Sequence, residues 1–389
     1  MKVLKGIKKV ALGVSGGVDS AVAGLLLKKR GIDLIGVFMK NWDIVDEQGF
    51  CDGERELEDA ESICKTLGIQ FKVVNFVKEY WNEVFTELIA DYEKGLTPNP
   101  DILCNKNIKF KHFSDYAFNR LGCDTVATGH YARNSFGEDL QNFHPSGANL
   151  LTAVDSCKDQ TFFLSQIPQD VLQRTIFPLG SMLKSVVKKI AFENNFERIA
   201  KKKESMGICF IGSRNFQSFI SEYIKPKECN LIDIDSGKIV GKHLGKHCLT
   251  IGQRCNIPGT KKPYYVGLKT DTPDILVAMG HSHPLFHSSQ FITHIPYWIN
   301  SEPSDLENNK IFHCKFRFQH RDNVLGSSVM KLEDGKLHVM LEKPVRALTP
   351  GQFAVFYKGE VCCGSAPIDY VGPTEYSLNY YERYAKPDS

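Results

Sequence analysis

Apolar residues at Val18, Ala21, Val22, Leu25 and Leu26 recur at helical spacing shortly after KKVALGV (8–14), which turns apolar from Val10. The chain therefore opens with a buried strand that feeds a helix. Lys28, Lys29 and Arg30 suit the carboxyl end of that helix, Gly31 supplies its left-handed cap, and the apolar run over 33–39 gives the next strand. The alternation continues through a helix over 56–67 closed by Gly68, a strand over 69–76, a helix over 78–93 closed by Gly95, a helix over 105–120 and a strand over 123–128. Strands alternating with helices in this way predict a doubly wound parallel α/β sheet, assigned to residues 1–212. From about residue 213 the helical period fades and Gly, Pro and His become frequent, as in TIGQRCNIPGT, which predicts a small central domain over 213–287. Beyond it the period is two. Phe312, Cys314, Phe316 and Phe318 alternate with His313, Lys315, Arg317 and Gln319, and short strands separated by Gly and Pro turns follow, so residues 288–389 are expected to form a β-barrel.

Composition adjusts this picture only at its edges. With 42% hydrophobic and 24% charged residues in 389, a disordered or collagen-like chain is excluded. The net charge of +3 means that affinity for nucleic acid must come from local basic patches. Twelve cysteines without a CxxC pair argue against a disulfide scaffold or a zinc ribbon and for a reducing compartment. No apolar run approaches the roughly 18 residues of a membrane span, and no membrane partner is expected. The segment MKVLKGIKKV is basic and lacks the apolar core of a secretory signal.

The first chemistry lies in the turn Ser15-Gly16-Gly17-Val18-Asp19-Ser20. A glycine-rich turn at a helix amino terminus aims backbone N–H groups and the positive end of the dipole at an anion. The lysine of GxxxxGK[ST] is absent, and the string is not GxGxxG. At the carboxyl end of the first strand, SGGxDS resembles the PP-loop of the ATP pyrophosphatase superfamily. That resemblance implies an adenine nucleotide hydrolase-like fold, cleavage of ATP between its α and β phosphates, and Asp19 placed to help bind Mg²⁺. Gly13, Val14, Ser15, Gly16, Gly17, Val18, Asp19 and Ser20 are the expected nucleotide-binding residues, with Met39 and Gly129 on the same rim.

Two cysteines stand apart from the ten read as inert thiols. Cys104 follows Thr97-Pro98-Asn99-Pro100-Asp101, where two prolines predict an extended loop ending as a helix begins. The helix terminus, Lys106 and Lys109 all favour a thiolate there, and Asp101 could serve as a general acid or base. Cys209 lies in a glycine-flanked loop reached through Lys201, Lys202 and Lys203. The strings SGGVDS, NPDILCNKNIKF, ATGHY, KDQTFFLSQ and GICFIG, in this order and spacing, resemble the tRNA-specific 2-thiouridylases nearly end to end. The resemblance implies that Cys104 is the catalytic nucleophile and that Cys209 carries a persulfide sulfur delivered by a partner protein. It further implies that Asn99, Pro100 and Asp101 contact the target base, with Asp101 moving a proton, and that His130, Lys158, Asp159, Gln160, Arg317, Phe318 and Gln352 touch the tRNA.

The expected activity is thus replacement of the C2 oxygen of a wobble uridine by sulfur, with ATP and Mg²⁺ as cofactors, tRNA and a persulfide donor as partners, and a monomeric enzyme. The alternatives are another PP-loop synthetase that adenylates a small-molecule carbonyl, for which Cys209 has no use, and a catalytically silent RNA-binding protein. An iron–sulfur cluster held by Cys104, Cys209 and Asp101 stays a minority alternative, since such clusters usually take four thiolates and only two are placed here. His281, His283 and His287 lack a completing ligand nearby in sequence, and no metal site is assigned. KEYWNEVF, KDQTFFLSQ and KKESMGICFIG resemble the mitochondrial form more than bacterial ones, which places the protein in the mitochondrial matrix, with a bacterial cytoplasm as the alternative.

Overall fold

The computed structural model describes residues 7–42, 52–202, 215–308, 310–320 and 324–384. The first sheet is built from β1 (Lys9–Gly13), β2 (Asp33–Lys40), β3 (Gln70–Asn75) and β4 (Thr125–Ala127); a hairpin follows, β5 (Arg133–Asn134) and β6 (Leu150–Leu151), and then β7 (Thr175–Ile176). Five of these strands lie parallel in the order β3-β2-β1-β4-β7. Val10, Ala11 and Leu12 of the central strand are fully buried, as expected where helices cover both faces. Helix α1 (Val18–Lys29) leaves β1 directly, and α2 (Asp52–Leu67) precedes β3. Gly24 lets the three meet closely, since a Cβ there would come within 2.8 Å of both Leu12 and Leu67.

The helix expected over 78–93 spans Val77–Glu93 with a π-helical stretch at Trp81–Phe85. The next helix begins earlier than its sequence suggests. Asn99 caps it, Pro100 occupies its first turn, and it runs through a π-helical stretch, kinked at Phe110, to Asn119. Proline fits that first turn because its missing N–H would be unpaired there anyway. Cys104 therefore sits inside a helix, one turn from its start, and not at the end of an extended loop.

Residues 229–279 form a separate sheet from β8 (Cys229–Asp233), β9 (Ile239–His243), β10 (Arg254–Cys255), β11 (Tyr264–Lys269) and β12 (Ile275–Met279), in the order β10-β11-β12-β8-β9. The last region contributes β13 (His287–Thr293), β14 (Tyr297–Trp298), β15 (Phe312–Arg317), β16 (Leu325–Lys331), β17 (Leu337–Arg346), β18 (Phe353–Lys358) and β19 (Val361–Val371). The order β13-β17-β16-β15-β18-β19, with β19 returning to β13, closes a six-stranded barrel. Phe312, Cys314 and Phe316 point into its core, as their period-two spacing requires. Cys362 is buried and Cys363 half-buried, as neighbours on opposite strand faces should be.

The barrel is not self-contained. The hairpin β5–β6, from within the first 212 residues, pairs onto β19 through Leu150↔Cys362 and Leu151↔Val361. Ser165 donates to Ser365 at 2.9 Å across the same seam, and the Thr161 and Tyr357 hydroxyls lie 3.3 Å apart. Thr97 N–H donates to the Pro350 carbonyl, and Gln352 Nε2 donates to the Thr97 carbonyl at 3.0 Å. The barrel thus grips both the segment before Cys104 and the loop around Gln160. Among the described residues no helix is long and apolar enough to cross a membrane.

Candidate active site at the carboxyl edge of the parallel sheet

The turn from β1 into α1 is a cradle of backbone donors of the kind that suits an anion. Gly16 adopts φ +74°, where a side chain would be strained and its Cβ would meet the Glu56 carbonyl at 2.6 Å. The Ser15 N–H donates to Ser20 Oγ, which donates to the Gly17 carbonyl at 2.9 Å. The backbone N–H groups from Gly16 to Ser20 find no acceptor among the described residues. Five such N–H groups at the positive end of a twelve-residue helix suit a phosphate chain. Gly129, two residues past the end of β4, backs the cradle so tightly that a Cβ would come within 2.8 Å of the Asp19 and Ser20 backbone. Met39 lies over Gly13, its Cε 3.3 Å from where a Cβ would stand. Val14 and Val18 are buried beneath the loop.

Asp19 is the acidic member of the cradle. Both its oxygens accept from Lys184 Nζ at 2.7 Å, and Oδ1 also accepts from the Tyr131 hydroxyl at 2.9 Å. Tyr131 is clamped in turn by Gln160, whose Oε1 accepts from the Tyr131 N–H while the Gln160 N–H donates to the Tyr131 carbonyl. A carboxylate beside free N–H donors suits Mg²⁺ held jointly by protein and phosphate oxygens, which prefers one or two carboxylates and keeps its remaining places for phosphate and water.

The Cys104 helix abuts this cradle. Phe113 reaches within 3.7 Å of the Cβ position of Gly13, and Phe110 packs against the His130 ring at 5.8 Å between centroids. Cys104 is buried, with Asp101 one turn before it on the same helical face. Burial pushes the Asp101 carboxyl above its usual range, against the opposing influence of Lys109 and His320. Such a carboxyl holds its proton more readily than a solvated one. Enclosure pushes the His130 imidazole well below its usual value, reinforced by the Lys109 charge, and Thr128 Oγ1 lies 2.8 Å from its Nδ1. Asn99 Oδ1 caps the helix through the Ile102 N–H. Lys106 donates to Gln166, so its charge is tied to the loop across the site.

The remaining expected contacts divide by burial. Asp159 is 2% exposed, accepting from the Ala153 N–H at 2.9 Å and from Thr161 Oγ1 at 2.8 Å. Arg317, its side chain 11% exposed, lies 3.6 Å from Asp159 and donates to the His320 carbonyl. His320 Nε2 donates to the Asp159 carbonyl at 2.7 Å and its ring packs on Phe163. Phe318 is 2% exposed within the barrel core. Asp159 and Phe318 therefore stand behind the surface, whereas Lys158, Gln160 and Gln352 are half-buried on its margin. Cys209 and Lys203 lie outside the described residues. Lys202 and Arg198, just before them, both pair with the buried Asp59, whose Cβ is 3.1 Å from the Cβ position of Gly16.

Lys184, Tyr131, Asp59 and His320 were not legible as site residues. Asp19 is separated from Tyr131 by 112 residues and from Lys184 by 165, so no local spacing marks them. Cys157, read as an inert buried thiol, is exposed. His283 pairs with Asp235 at 3.2 Å, and among the described residues no group of three or more His, Cys, Asp or Glu is arranged to hold a metal.

Comparison with known proteins covers the whole architecture. Residues 8–213 match the family described as tRNA methyl transferase HUP domain, residues 217–279 the tRNA methyl transferase PRC-barrel domain, and residues 288–368 the aminomethyltransferase beta-barrel domain. The chain is 47% identical to mitochondrial tRNA-specific 2-thiouridylase 1 of Gallus gallus, over 95% of this chain and 94% of that protein. It is 46% identical to the Homo sapiens protein of the same name, over 98% and 95%. With tRNA-specific 2-thiouridylase MnmA of Staphylococcus aureus it shares 44% identity over 96% and 98%. With this identity along nearly its full length, and with Asp101 and Cys104 on a helix that packs beside the glycine-rich turn after β1, the chain belongs to the tRNA-specific 2-thiouridylase family.

Proposed function

We propose that the protein is an ATP-dependent tRNA 2-thiouridylase acting as a monomer in the mitochondrial matrix. The observation that carries the reading is the row of N–H groups from Gly16 to Ser20, without acceptors among the described residues, beside the helix that bears Asp101 and Cys104. Residues 1–212 carry the chemistry, 213–287 form the central domain, and 288–389 grip the anticodon arm. Asn99, Pro100 and Asp101 face the target base, and His130, Lys158, Gln160, Arg317 and Gln352 help hold the RNA, which must unstack the wobble uridine to present it.

The C2 carbonyl of uracil is a poor electrophile. In the proposed reaction its oxygen attacks the α-phosphorus of ATP and pyrophosphate leaves, held by the backbone donors of the loop. Asp19 would hold Mg²⁺, whose charge would offset that of the departing pyrophosphate. The terminal sulfur of a Cys209 persulfide then attacks C2 and AMP departs. The Cys104 thiolate attacks the Cys209 sulfur, the bond to the transferred sulfur breaks, and sulfur stays on C2 while a Cys104–Cys209 disulfide forms for a reductant to reopen. Release of hydrosulfide by Cys104 before attack on C2 gives the same products. Asp101, with its raised affinity for a proton, is suited to proton transfer at the base.

The test is mass spectrometry of nucleosides from tRNA incubated with the protein, ATP, Mg²⁺ and a persulfide source. The wild type should form 2-thiouridine, and Cys104→Ser and Cys209→Ser should form none while binding tRNA nearly as well. Full activity in either variant refutes the two-thiol mechanism, and an inactive wild type that binds tRNA supports a silent RNA-binding protein instead.

A further inference from the structure

We infer that Lys184 is the cation that engages the pyrophosphate half of ATP, and that in the nucleotide-free protein the Asp19 carboxylate occupies the place of the phosphate. The inference rests on the nucleotide reading of the Gly16–Ser20 loop and adds to it a residue from outside the loop.

The loop has donors but no cation of its own, since residues 15–20 contain neither lysine nor arginine. A triphosphate carries several negative charges, more than a helix terminus of about half a unit charge can balance. The only basic side chain bonded to a residue of the loop, among the described residues, is Lys184. It begins the helix Lys184–Glu193, and its own N–H is anchored by Asp155 Oδ2 at 2.9 Å, so the base of the side chain is fixed. Its side chain is 11% exposed, while Asp19, at 32%, opens toward solvent. The ammonium lies 2.7 Å from both Asp19 oxygens and 5.6 Å from the centre of the Tyr131 ring.

An acid beside an anion cradle is a poor neighbour for phosphate unless something neutralises it. Lys184 does so in the free protein. A lysine carries three donors on a flexible stem and acts as a movable point charge. When the pyrophosphate moiety settles on the N–H groups, the ammonium can turn to a phosphate oxygen without moving its helix. Asp19, keeping Tyr131 as a donor, then becomes available to a divalent cation. One short swing thus supplies a phosphate ligand and exposes a metal ligand, which makes cation binding follow nucleotide binding.

The arrangement predicts opposite effects at two ligands. With the full-length protein, Lys184→Met should weaken ATP and Mg²⁺-free pyrophosphate about ten- to a hundredfold by calorimetry, the range expected for a lost hydrogen bond to a charged group. AMP affinity should stay within about twofold. Mn²⁺ binding to the nucleotide-free variant, read by electron paramagnetic resonance, should tighten severalfold. Asp19→Asn should tighten Mg²⁺-free pyrophosphate binding, because the competing carboxylate is gone, and this arm holds even if Lys184→Met fails to fold. ATP and pyrophosphate affinities unchanged in Lys184→Met, or an equal loss for AMP, would assign the lysine a purely structural role. Weaker or unchanged pyrophosphate binding in Asp19→Asn would equally overturn the inference. A wild type that binds neither ATP nor pyrophosphate removes the nucleotide reading itself.

Discussion

Asp159→Ala separates a structural role from RNA contact at a residue that sequence resemblance places on the tRNA. Asp159 is 2% exposed and satisfies the Ala153 N–H, the Thr161 hydroxyl and the Arg317 guanidinium together. Removing it leaves Arg317 largely buried with no carboxylate beside it among the described residues, where its Nε already finds no acceptor. Breaking a buried ion pair from one side costs about 3–5 kcal/mol. The 3.6 Å separation is long for a charge-assisted contact, so about 3 kcal/mol is expected. At roughly 2–4 °C per kcal/mol for a unit of this size, the melting temperature should fall by about 6–12 °C. Because the pair joins the Gln160 loop to the barrel, Arg317→Met in the Asp159→Ala background should recover part of the loss by removing the stranded charge. Calorimetric melting and tRNA binding in the same buffer give the answer. If Asp159→Ala melts within about 2 °C of the wild type and still loses tRNA affinity, the buried-counterion reasoning is wrong and Asp159 acts on the RNA.

Two further outcomes follow from the site geometry. Gly129→Ala would place a Cβ 2.8 Å from the Asp19 and Ser20 backbone, which cannot yield without disturbing the cradle, so ATP affinity by calorimetry should fall at least about tenfold; unchanged affinity would show that the loop relaxes freely. The Asp101 carboxyl, held above its usual range by burial, disfavours its charged form in the fold, so its contribution is fully present below the unfolded value near pH 4 and is lost as pH rises through the folded value. Asp101→Asn should therefore raise the melting temperature more at pH 7.5 than at pH 4.5 while thiolation drops sharply, and a stability change independent of pH would count against the desolvation argument.

Much of the architecture can be read from local pattern alone. The alternation of apolar runs and helical stripes specifies β1, α1, β2 and the later strands of the parallel sheet, and period two in 312–318 specifies a barrel wall, because each signal arises within one element and its single buried face. The glycine-rich turn and the Asp101–Cys104 helix are equally local, apart from the helix start, which proline moved forward to Pro100. Tertiary structure alone decided what closes around them. β5 and β6 are two-residue strands too short to show a period, and they exist because β19 offers an edge more than 200 residues away. Lys184 reaches Asp19, Lys202 reaches Asp59 and Arg317 reaches Asp159 across gaps of 165, 143 and 158 residues. A charge pair of that separation leaves no trace in spacing or hydropathy, since it depends only on where two folded surfaces happen to meet and on the cost of leaving either ion buried alone.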